Sequence, residues 1–305
     1  MKCPLCGSIE SVFVLHSKTQ LQDDNCIFQF DRCLNCSSIF LKNPPFEEDL
    51  KKYYSDNYLP YSNSKPWGKY TFVVNIWQNM VDKKKCNLLL KYIDNKKIFN
   101  ILDYGCGKPT FLKKLSTFNQ GIFVGFDFSD NGWKDSHEKF LKLKLLSNDF
   151  EKIQEKFDVI TLWHSLEHHF HPVELISELK NKLKSNGLII IELPNYKSFF
   201  VNKQKGDWGG LHTPRHSVIY SPESLTYLMN QNGFRIKKIL KYGTLDAFTL
   251  WWLGRVSKYN IFNSLFPFEN LFVKFFLLKV ITFPFFIFEK YLNLGVMTFI
   301  CEKNE

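Results

Sequence analysis

Arginine is scarce in this chain of 305 residues, although its formal net charge is +10. Of 40 basic residues, the arginines are only Arg32, Arg215, Arg235 and Arg255. Proteins that read bases or clamp phosphates rely on the planar guanidinium fork of arginine. We therefore attribute the charge to a surface coated with lysine rather than to nucleic-acid recognition.

A secretory signal and a long apolar run are also missing. The chain begins with Cys3-Pro4-Leu5-Cys6 instead of a basic stretch followed by an apolar one. The longest apolar stretch, residues 272–288, contains Lys274, Lys279 and Pro284, and it is shorter than the ~20 residues that a membrane-spanning helix needs. Eight cysteines do not suffice for a disulfide scaffold of this length. We expect a cytoplasmic protein.

Two CxxC pairs are the clearest local signal, and they comprise Cys3, Cys6, Cys33 and Cys36. Four thiolates at this spacing can close a tetrahedron around a structural Zn²⁺, with apolar runs at 11–15 and 26–30 forming a hairpin between the pairs. A thiol redox pair is the alternative, but paired motifs favour zinc. The other cysteines are interpreted as small buried side chains: Cys26, Cys86, Cys106 and Cys301.

Composition divides the chain into five segments. We predict a zinc-ribbon module at 1–45, a helical lead-in at 46–97, an α/β core at 98–243, an aromatic helical insertion at 244–294 and a last core strand at 295–305. Pro44-Pro45 ends the first segment. The lead-in is rich in tyrosine, contains a helix near 72–92 and is expected to cover the mouth of the core.

In the core, short apolar strands alternate with amphipathic helices. The strands are expected at 98–102, 122–126, 141–146, 157–163, 188–193, 234–240 and 296–301. Helices begin near Thr110, Pro172 and Pro222, and Gly187 is expected to end the second of them. This alternation predicts an α/β fold with a doubly wound, mostly parallel seven-stranded sheet, covered on both faces.

Glycines and acids follow the first two core strands, at the edge where doubly wound sheets bind ligands. Gly105 and Gly107 permit a close approach of the backbone to a ligand, and the following helix start offers N–H groups to an anion. Asp127 comes 24 residues after Asp103 and can accept hydrogen bonds from both hydroxyls of a ribose. The combination predicts a nucleoside cofactor. Thr110 replaces the third glycine of the dinucleotide fingerprint, which argues against an NAD-dependent oxidoreductase.

The core motifs resemble those of class I S-adenosylmethionine-dependent methyltransferases over about residues 98–240. The motifs are Asp103-Tyr104-Gly105-Cys106-Gly107, Asp127, Asn148-Asp149-Phe150 and residues 157–172. The CxxC module, the Tyr53-Tyr54 pair, Pro214-x-His216 and residues 221–225 extend the likeness to a bacterial subgroup that modifies surface polysaccharide, glycolipid or small metabolites.

The resemblance implies specific contacts with S-adenosylmethionine. Asp103 and the glycine turn would hold the methionine end, Asp127 the ribose, Asp149 the adenine amino group and Phe150 a face of the adenine ring. The full predicted cofactor site comprises Asp103, Gly105, Cys106, Gly107, Asp127, Phe128, Asp149, Phe150 and His164. Pro109 departs from the family pattern, since proline can neither donate a hydrogen bond nor adopt a positive φ there.

Six of the eight histidines lie between residues 164 and 216. His168 follows the fourth core strand, and His216 lies in the loop 206–217 after the fifth. Both are predicted catalytic residues, because a hydroxyl acceptor benefits from a base near neutral pH. Glu167 is predicted to orient a histidine or to cap a helix. The spacing of these histidines alone does not indicate a second metal site.

Residues 244–294 are unusually aromatic and include Phe248, Trp251, Trp252, Phe262, Phe266, Phe268, Phe272, Phe275, Phe276, Phe283, Phe285, Phe286 and Phe288. One interpretation is a helical subdomain that buries these rings against the core or the second subunit of a homodimer. The other is peripheral contact with anionic lipid at the inner face of a membrane, where rings enter the bilayer and lysines lie at head-group level.

These features together predict a methyltransferase with structural zinc that acts on a sugar, a glycolipid or another small polar acceptor, at oxygen. Three alternatives stay open. A sugar C-methyltransferase would exchange deuterium into the acceptor carbon. An RNA methyltransferase would bind RNA with a steep salt dependence. A scaffold that has lost its activity through Pro109 would not bind the cofactor.

Overall fold

The computed structural model describes residues 1–21, 24, 26–54, 65–93, 98–258 and 268–304. The strands are β1 (Ser11–Lys18), β2 (Ile27–Cys33), β3 (Ile39–Leu41), β4 (Ile101–Tyr104), β5 (Phe123–Asp127), β6 (Lys144–Ser147), β7 (Phe157–Trp163), β8 (Leu183–Pro194), β9 (Val218–Ile219), β10 (Phe234–Leu240) and β11 (Val296–Lys303). The helices are α1 (Glu47–Leu50), α2 (Thr71–Tyr92), α3 (Thr110–Leu115), α4 (Pro172–Lys182), α5 (Phe199–Gln204), α6 (Pro222–Gln231), α7 (Ala247–Lys258), α8 (Phe268–Phe286) and α9 (Glu289–Leu292). Four aromatic residues lie outside the described ranges: Tyr58 and Tyr61 of the tyrosine-rich lead-in, and Phe262 and Phe266 of the aromatic insertion.

The predicted seven-stranded, mostly parallel sheet is confirmed. Its order is β10-β11-β8-β7-β4-β5-β6, and β11 runs antiparallel to both of its neighbours. The chain moves outward from β4 through β5 to β6 and then crosses to β7 on the other side of β4. The direction of winding therefore switches between β4 and β7, where doubly wound sheets bind ligands at the carboxyl ends of their strands.

Both faces of this sheet are buried, as near-continuous apolar strands require. Side chains from β7, β8 and β11 are fully buried, and α4 and α6 cover one face through Leu179 and Leu225. On the other face, α2 and α3 pack Leu89 and Leu112 against β4. The sheet is thus a rigid platform for the loops at its carboxyl edge.

The amino-terminal hairpin shares a second sheet with the core. Its four strands follow the order β1-β2-β3-β9, and Ile39 and Phe40 of β3 pair with Ile219 and Val218 of β9. The predicted hairpin between the CxxC pairs is therefore present. It is joined by backbone hydrogen bonds to the segment that follows His216, and so it does not form a separate body.

The predicted end of the second core helix and the predicted start of the strand that follows it are both wrong. Helix α4 ends at Lys182, and Gly187 lies inside β8 instead of ending the helix. The backbone is already extended at Leu183, whose buried side chain lies opposite Phe157 of β7. Asn186 adopts the left-handed conformation, with φ of 57°, which asparagine tolerates better than most residues.

Three further predictions need correction. Cys26 is exposed and not buried. The strands predicted to begin at Ile98 and Leu141 begin three residues later, at Ile101 and Lys144. Ile98 and Leu141 have exposed side chains, so they contribute nothing to the core that would hold them in the sheet.

The aromatic insertion contains both buried and exposed rings. Phe248, Trp252 and Phe275 form a buried cluster between α7 and α8. Phe276 and Phe283 on α8 are exposed. Among the described residues, no helix is both long enough and apolar enough to cross a membrane.

Candidate active site

The turn after β4 is shaped for a close backbone approach. Gly105 has φ of +74°, and a Cβ atom there would lie 2.4 Å from Cβ of Ser165. Only glycine fits this combination of φ and contact. Gly107 also has a positive φ, of 49°. Pro109 directly precedes α3 with φ of −77°, an ordinary value for proline, so the turn accommodates it without strain.

Asp127 at the tip of β5 lies against this turn. Its Oδ2 accepts a hydrogen bond of 2.8 Å from the N–H of Gly107, and its Oδ1 accepts one of 3.3 Å from the N–H of Ser129. The predicted pairing of a glycine turn with an acid at the second strand is thus realised. The residues fit an adenosyl cofactor, since a side chain is excluded from the turn at Gly105 and the buried carboxylate of Asp127 lies beside the turn.

Asp103 lies within β4, before the glycine turn, and is buried in the core. Its carboxylate is buried and accepts a hydrogen bond of 2.7 Å from Thr161 Oγ1 on β7. Burial, opposed by the charge of Lys85 and the bond from Thr161, raises the pKa of Asp103 to about 7. Cys106 is half-buried, and its Sγ lies 3.8 Å from the carbonyl oxygen of Gly107.

The residues predicted around the adenine ring differ in exposure. Phe150 packs edge-on against Tyr104, with ring centroids 5.2 Å apart. Phe128 is exposed and lies 5.4 Å from the His169 ring. Asp149 is exposed and forms an ion pair of 2.5 Å with Lys152, so it lies at the rim of the site.

His164 lies between two buried carboxylates. Its Nδ1 is 3.4 Å from Glu167 Oε1, and its Nε2 is 3.3 Å from Glu192 Oε1. Burial lowers the pKa of His164, but hydrogen bonds to Glu167 and Glu192 outweigh burial and raise it to about 9. This histidine is therefore an imidazolium at neutral pH that neutralises buried charge below the cofactor turn.

Three other histidines converge on the far side of Glu167. His168 ends the 3-10 turn Leu166–His168, and His212 and His216 come from the loop after α5. Ring centroids are 4.6 Å apart for His168 and His216 and 5.1 Å apart for His212 and His216. Burial lowers the pKa of His168 and of His216 to about 3, and it holds the pKa of His212 well below its usual value. All three imidazoles are neutral.

The loop that carries His212 and His216 is held by the amino-terminal hairpin. Thr213 Oγ1 donates a hydrogen bond of 2.8 Å to Ser17 Oγ. Arg215 is buried and donates to the carbonyl oxygens of Tyr53 and Gln20 at 2.7 and 3.0 Å. The position of the histidines therefore depends on the hairpin.

The four paired cysteines also come together. Their sulfur atoms lie within 4.8 Å of one another, with Cys3 Sγ 3.5 Å from Cys36 Sγ and Cys6 Sγ 3.4 Å from Cys33 Sγ. A tetrahedral ion with Zn–S bonds of ~2.3 Å separates its sulfurs by about 3.8 Å. A hydrogen bond from Cys36 lowers the pKa of Cys3 to about 4 against the effect of burial, so a thiolate forms readily.

Sequence reasoning missed three residues of the site: Tyr54, Thr161 and Glu192. Glu192 had a detectable signal, because it is the one acid inside the apolar run 188–193. Its carboxylate accepts hydrogen bonds from the N–H groups of Thr244 and Leu245 at 2.7 and 3.1 Å. Tyr54 Oη lies 2.9 Å from Nδ1 of His168, a contact with no signature in the sequence.

Comparison with known proteins identifies the core. A family model described as a methyltransferase domain matches residues 46–239. The chain belongs to this methyltransferase family. The expected membership among S-adenosylmethionine-dependent methyltransferases is confirmed, whereas zinc binding and the bacterial subgroup stay predictions.

Curated relatives of this methyltransferase match only in part. A tRNA U34 carboxymethyltransferase of Campylobacter lari is 26% identical over 148 residues, which cover 42% of this chain and 47% of that protein. An uncharacterized protein of Methanocaldococcus jannaschii is 28% identical over 173 residues, or 55% of this chain and 74% of that one. The chain thus spans about half the length of its tRNA-modifying relative.

A solved structure shows the same fold. The magnesium protoporphyrin IX methyltransferase from Synechocystis PCC 6803, solved with bound S-adenosylhomocysteine, superimposes with a TM-score of 0.51 at 12% identity. The match covers 85% of this chain and all of that one. At this identity the likeness concerns the fold.

Proposed function

We propose that this methyltransferase transfers a methyl group from S-adenosylmethionine to an oxygen atom of a small polar acceptor. The observation that carries the proposal is the closeness of the glycine turn and the histidine cluster. Ser165 touches Gly105, and the turn that ends at His168 begins at the next residue. A bound cofactor would supply a methyl group on a sulfonium, and in-line transfer demands mainly alignment of the acceptor.

The roles of individual residues toward the cofactor are part of this proposal. Asp127 and the N–H groups of the glycine turn are proposed to bind the ribose and the methionine end. Phe150 would pack against the adenine ring, and Asp149 would bind the adenine amino group from the rim. Asp103, through its bond to Thr161, supports the turn from below. His164, held by its two carboxylates, is proposed to position Glu167.

The acceptor would lie against His168 and His216. Their neutral imidazoles can accept a hydrogen bond from a hydroxyl group and so direct an oxygen lone pair toward the methyl carbon. Tyr54 is proposed to close the site from the lead-in, through its contact with His168. None of the relatives named above is a sugar-modifying enzyme by name, so the proposal is limited to small hydroxylated molecules.

An assay of methyl transfer tests the acceptor class. We expect radiolabel from S-adenosylmethionine to enter a panel of small hydroxylated compounds, and transfer to fall at least about 10-fold in Tyr54→Phe. Transfer that persists in high salt is expected, because no phosphate contacts are involved. Label that enters bulk tRNA instead, with a steep loss as salt rises, would contradict the proposal.

A nucleic-acid acceptor is the second candidate because the Campylobacter relative modifies tRNA by name. Among the described arginines, Arg215 is buried against carbonyl groups and Arg235 pairs with Glu302. Arg32 and Arg255 are exposed, but four arginines in the whole sequence are few for a phosphate-binding surface.

We also propose that α8 contacts anionic lipid. Phe276 and Phe283 are 49% and 57% exposed, and Lys274 and Lys290 are exposed along the same segment. Phe275, in contrast, is buried against Phe248, so it serves the fold.

Liposome flotation tests this contact. We expect vesicles that contain phosphatidylglycerol to float the protein, and Phe276→Ser combined with Phe283→Ser to reduce the bound fraction about 10-fold through the loss of apolar burial. Phe118→Ser is the matched control, since Phe118 is equally exposed but lies after α3. Absence of flotation, with a dimer found by light scattering, would assign the surface to a second subunit.

A further inference from the structure

The three histidines beside Glu167 are arranged like metal ligands. One nitrogen from each of His168, His212 and His216 lies within 4.8 Å of the other two. The ring planes are nearly perpendicular to one another, at 77°, 86° and 89°. Rings that converge on one point from three directions have this orientation, whereas rings that merely stack do not.

Hydrogen bonds at the opposite ring nitrogens orient two of these rings. Nδ1 of His216 donates to the carbonyl oxygen of Gly210 at 2.9 Å. Nδ1 of His168 lies 3.2 Å from the carbonyl oxygen of Arg215, which can only accept, and 2.9 Å from Oη of Tyr54, which can accept as well. In both residues a proton on Nδ1 leaves the lone pair on Nε2. Metal-bound histidines generally make such a bond at the nitrogen that faces away from the ion.

A conflict between lone pairs marks the place of a cation. Nε2 of His216 carries a lone pair and lies 3.9 Å from Oε1 of Glu167. Glu167 is only 1% exposed, and the cation beside it is His164, whose Nδ1 lies 3.4 Å from the same Oε1. His164 carries one positive charge and shares it between the carboxylates of Glu167 and Glu192. A further positive group between Glu167 and His216 would therefore balance the remaining buried charge and separate the two electron-rich atoms.

The distances allow an ion at this place. A tetrahedral ion with metal–nitrogen bonds of ~2.0–2.1 Å holds its ligand atoms about 3.4 Å apart. Separations of up to 4.8 Å in the cluster close to that value through small side-chain rotations. Three nitrogen ligands suit Zn²⁺, Co²⁺, Ni²⁺ or Fe²⁺ and not Mg²⁺ or Ca²⁺.

We infer that His168, His212 and His216 bind a divalent transition-metal ion, with Glu167 as its counter-charge. This site would be separate from the cysteine site, and three protein ligands leave a position for another molecule. The inference rests on the proposed function in one respect, since that position would take the acceptor oxygen. The ion would then replace the direct hydrogen bonds from the acceptor hydroxyl to His168 and His216. Binding to the ion lowers the pKa of a hydroxyl group, whose proton leaves to solvent. The new C–O bond then forms as the C–S bond breaks, which leaves S-adenosylhomocysteine.

Titration with Co²⁺ tests the site directly. The probe is Co²⁺ alone, added to full-length protein that carries one equivalent of Zn²⁺, which the four thiolates of the cysteine site bind in preference to three imidazoles. We expect one Co²⁺ per chain, with a visible d–d band and without the near-ultraviolet band of cobalt bound to thiolate. The absence of that band separates the histidine site from exchange at the cysteines.

Variants distinguish the cluster from surface histidines. We expect His212→Ala to weaken Co²⁺ binding more than about 100-fold and Glu167→Gln to weaken it about 10-fold, because the latter removes only a neighbouring charge. His137→Ala and His171→Ala are controls, as both side chains are exposed outside the cluster, and they should bind Co²⁺ normally. Calorimetry with S-adenosylhomocysteine verifies that each variant is folded.

The outcomes separate this inference from the proposed function. The metal site would be overturned if the wild-type protein failed to bind Co²⁺ at nitrogen ligands. It would also be overturned if His212→Ala and Glu167→Gln bound Co²⁺ as tightly as the wild type. A bridging water would then be the group between His216 and Glu167. If Co²⁺ binds as expected but no small acceptor is methylated, the metal site stands and the proposed acceptor class fails.

Discussion

Replacing Asp127 with alanine is expected to weaken the binding of S-adenosylhomocysteine by about 3 kcal/mol, or roughly 100-fold. The carboxylate is buried and holds the N–H groups of Gly107 and Ser129. Its loss would remove the acceptor proposed for the ribose hydroxyls and also release the glycine turn. Isothermal titration calorimetry measures the change in affinity directly.

Asp130→Ala is the matched control for this prediction. Asp130 lies three residues further along the same loop but is exposed, so its removal should change the affinity less than about 3-fold. If the two variants bind S-adenosylhomocysteine equally well, Asp127 does not contact the cofactor. The assignment of the adenosyl site to the carboxyl ends of β4 and β5 would then be wrong.

Replacing Cys33 with serine is expected to abolish zinc binding and to destabilise the protein by at least about 3 kcal/mol, roughly 10 °C in Tm. The reason is that the hairpin around Cys33 holds the histidine loop. It does so through the pairing of β3 with β9, the bond from Thr213 to Ser17 and the bond from Arg215 to Gln20. Metal analysis and thermal unfolding measure the two effects.

The same variant should separate cofactor binding from methyl transfer. The glycine turn and Asp127 lie at the carboxyl ends of β4 and β5 and are joined by the bond from Gly107 N–H to Asp127 Oδ2, so affinity for S-adenosylhomocysteine should change little. Methyl transfer should fall steeply as His212 and His216 lose their support. Cys26→Ser is the control because Cys26 is an exposed cysteine of the same hairpin. Full transfer activity in zinc-free Cys33→Ser would refute the coupling.

Much of the core was predictable because its signals are local. β7 has the predicted ends because its run of buried residues is bounded by polar ones, and β10 has the predicted ends because it follows Gly233 directly and alternates apolar with basic residues. The turn at Gly105 was predictable for a similar reason, as a glycine after a buried strand indicates a backbone that other residues cannot adopt. The position of Asp127 beside this turn was predictable because it comes 24 residues after Asp103, at the end of the second core strand.

Other features escaped the sequence because they depend on contacts between distant segments. Helix α4 ends before Gly187 because the backbone is extended at Leu183, which pairs with Phe157 of β7. The predicted catalytic pair is incomplete without His212, and its surroundings include Tyr54 from the lead-in. No pattern in the sequence indicates that Glu167 and Glu192 share one imidazolium at His164.

The sequence by itself determined the alternating α/β core, the paired cysteines and the acid and glycines of the cofactor edge, since each depends on residues close together along the chain. Only the tertiary structure decided what the histidines can do. His168 and His216 are 48 residues apart and meet because β7 and the loop before β9 end at the same place. Their lone pairs, and the buried carboxylate that faces them, follow from carbonyl groups and packing supplied by other segments.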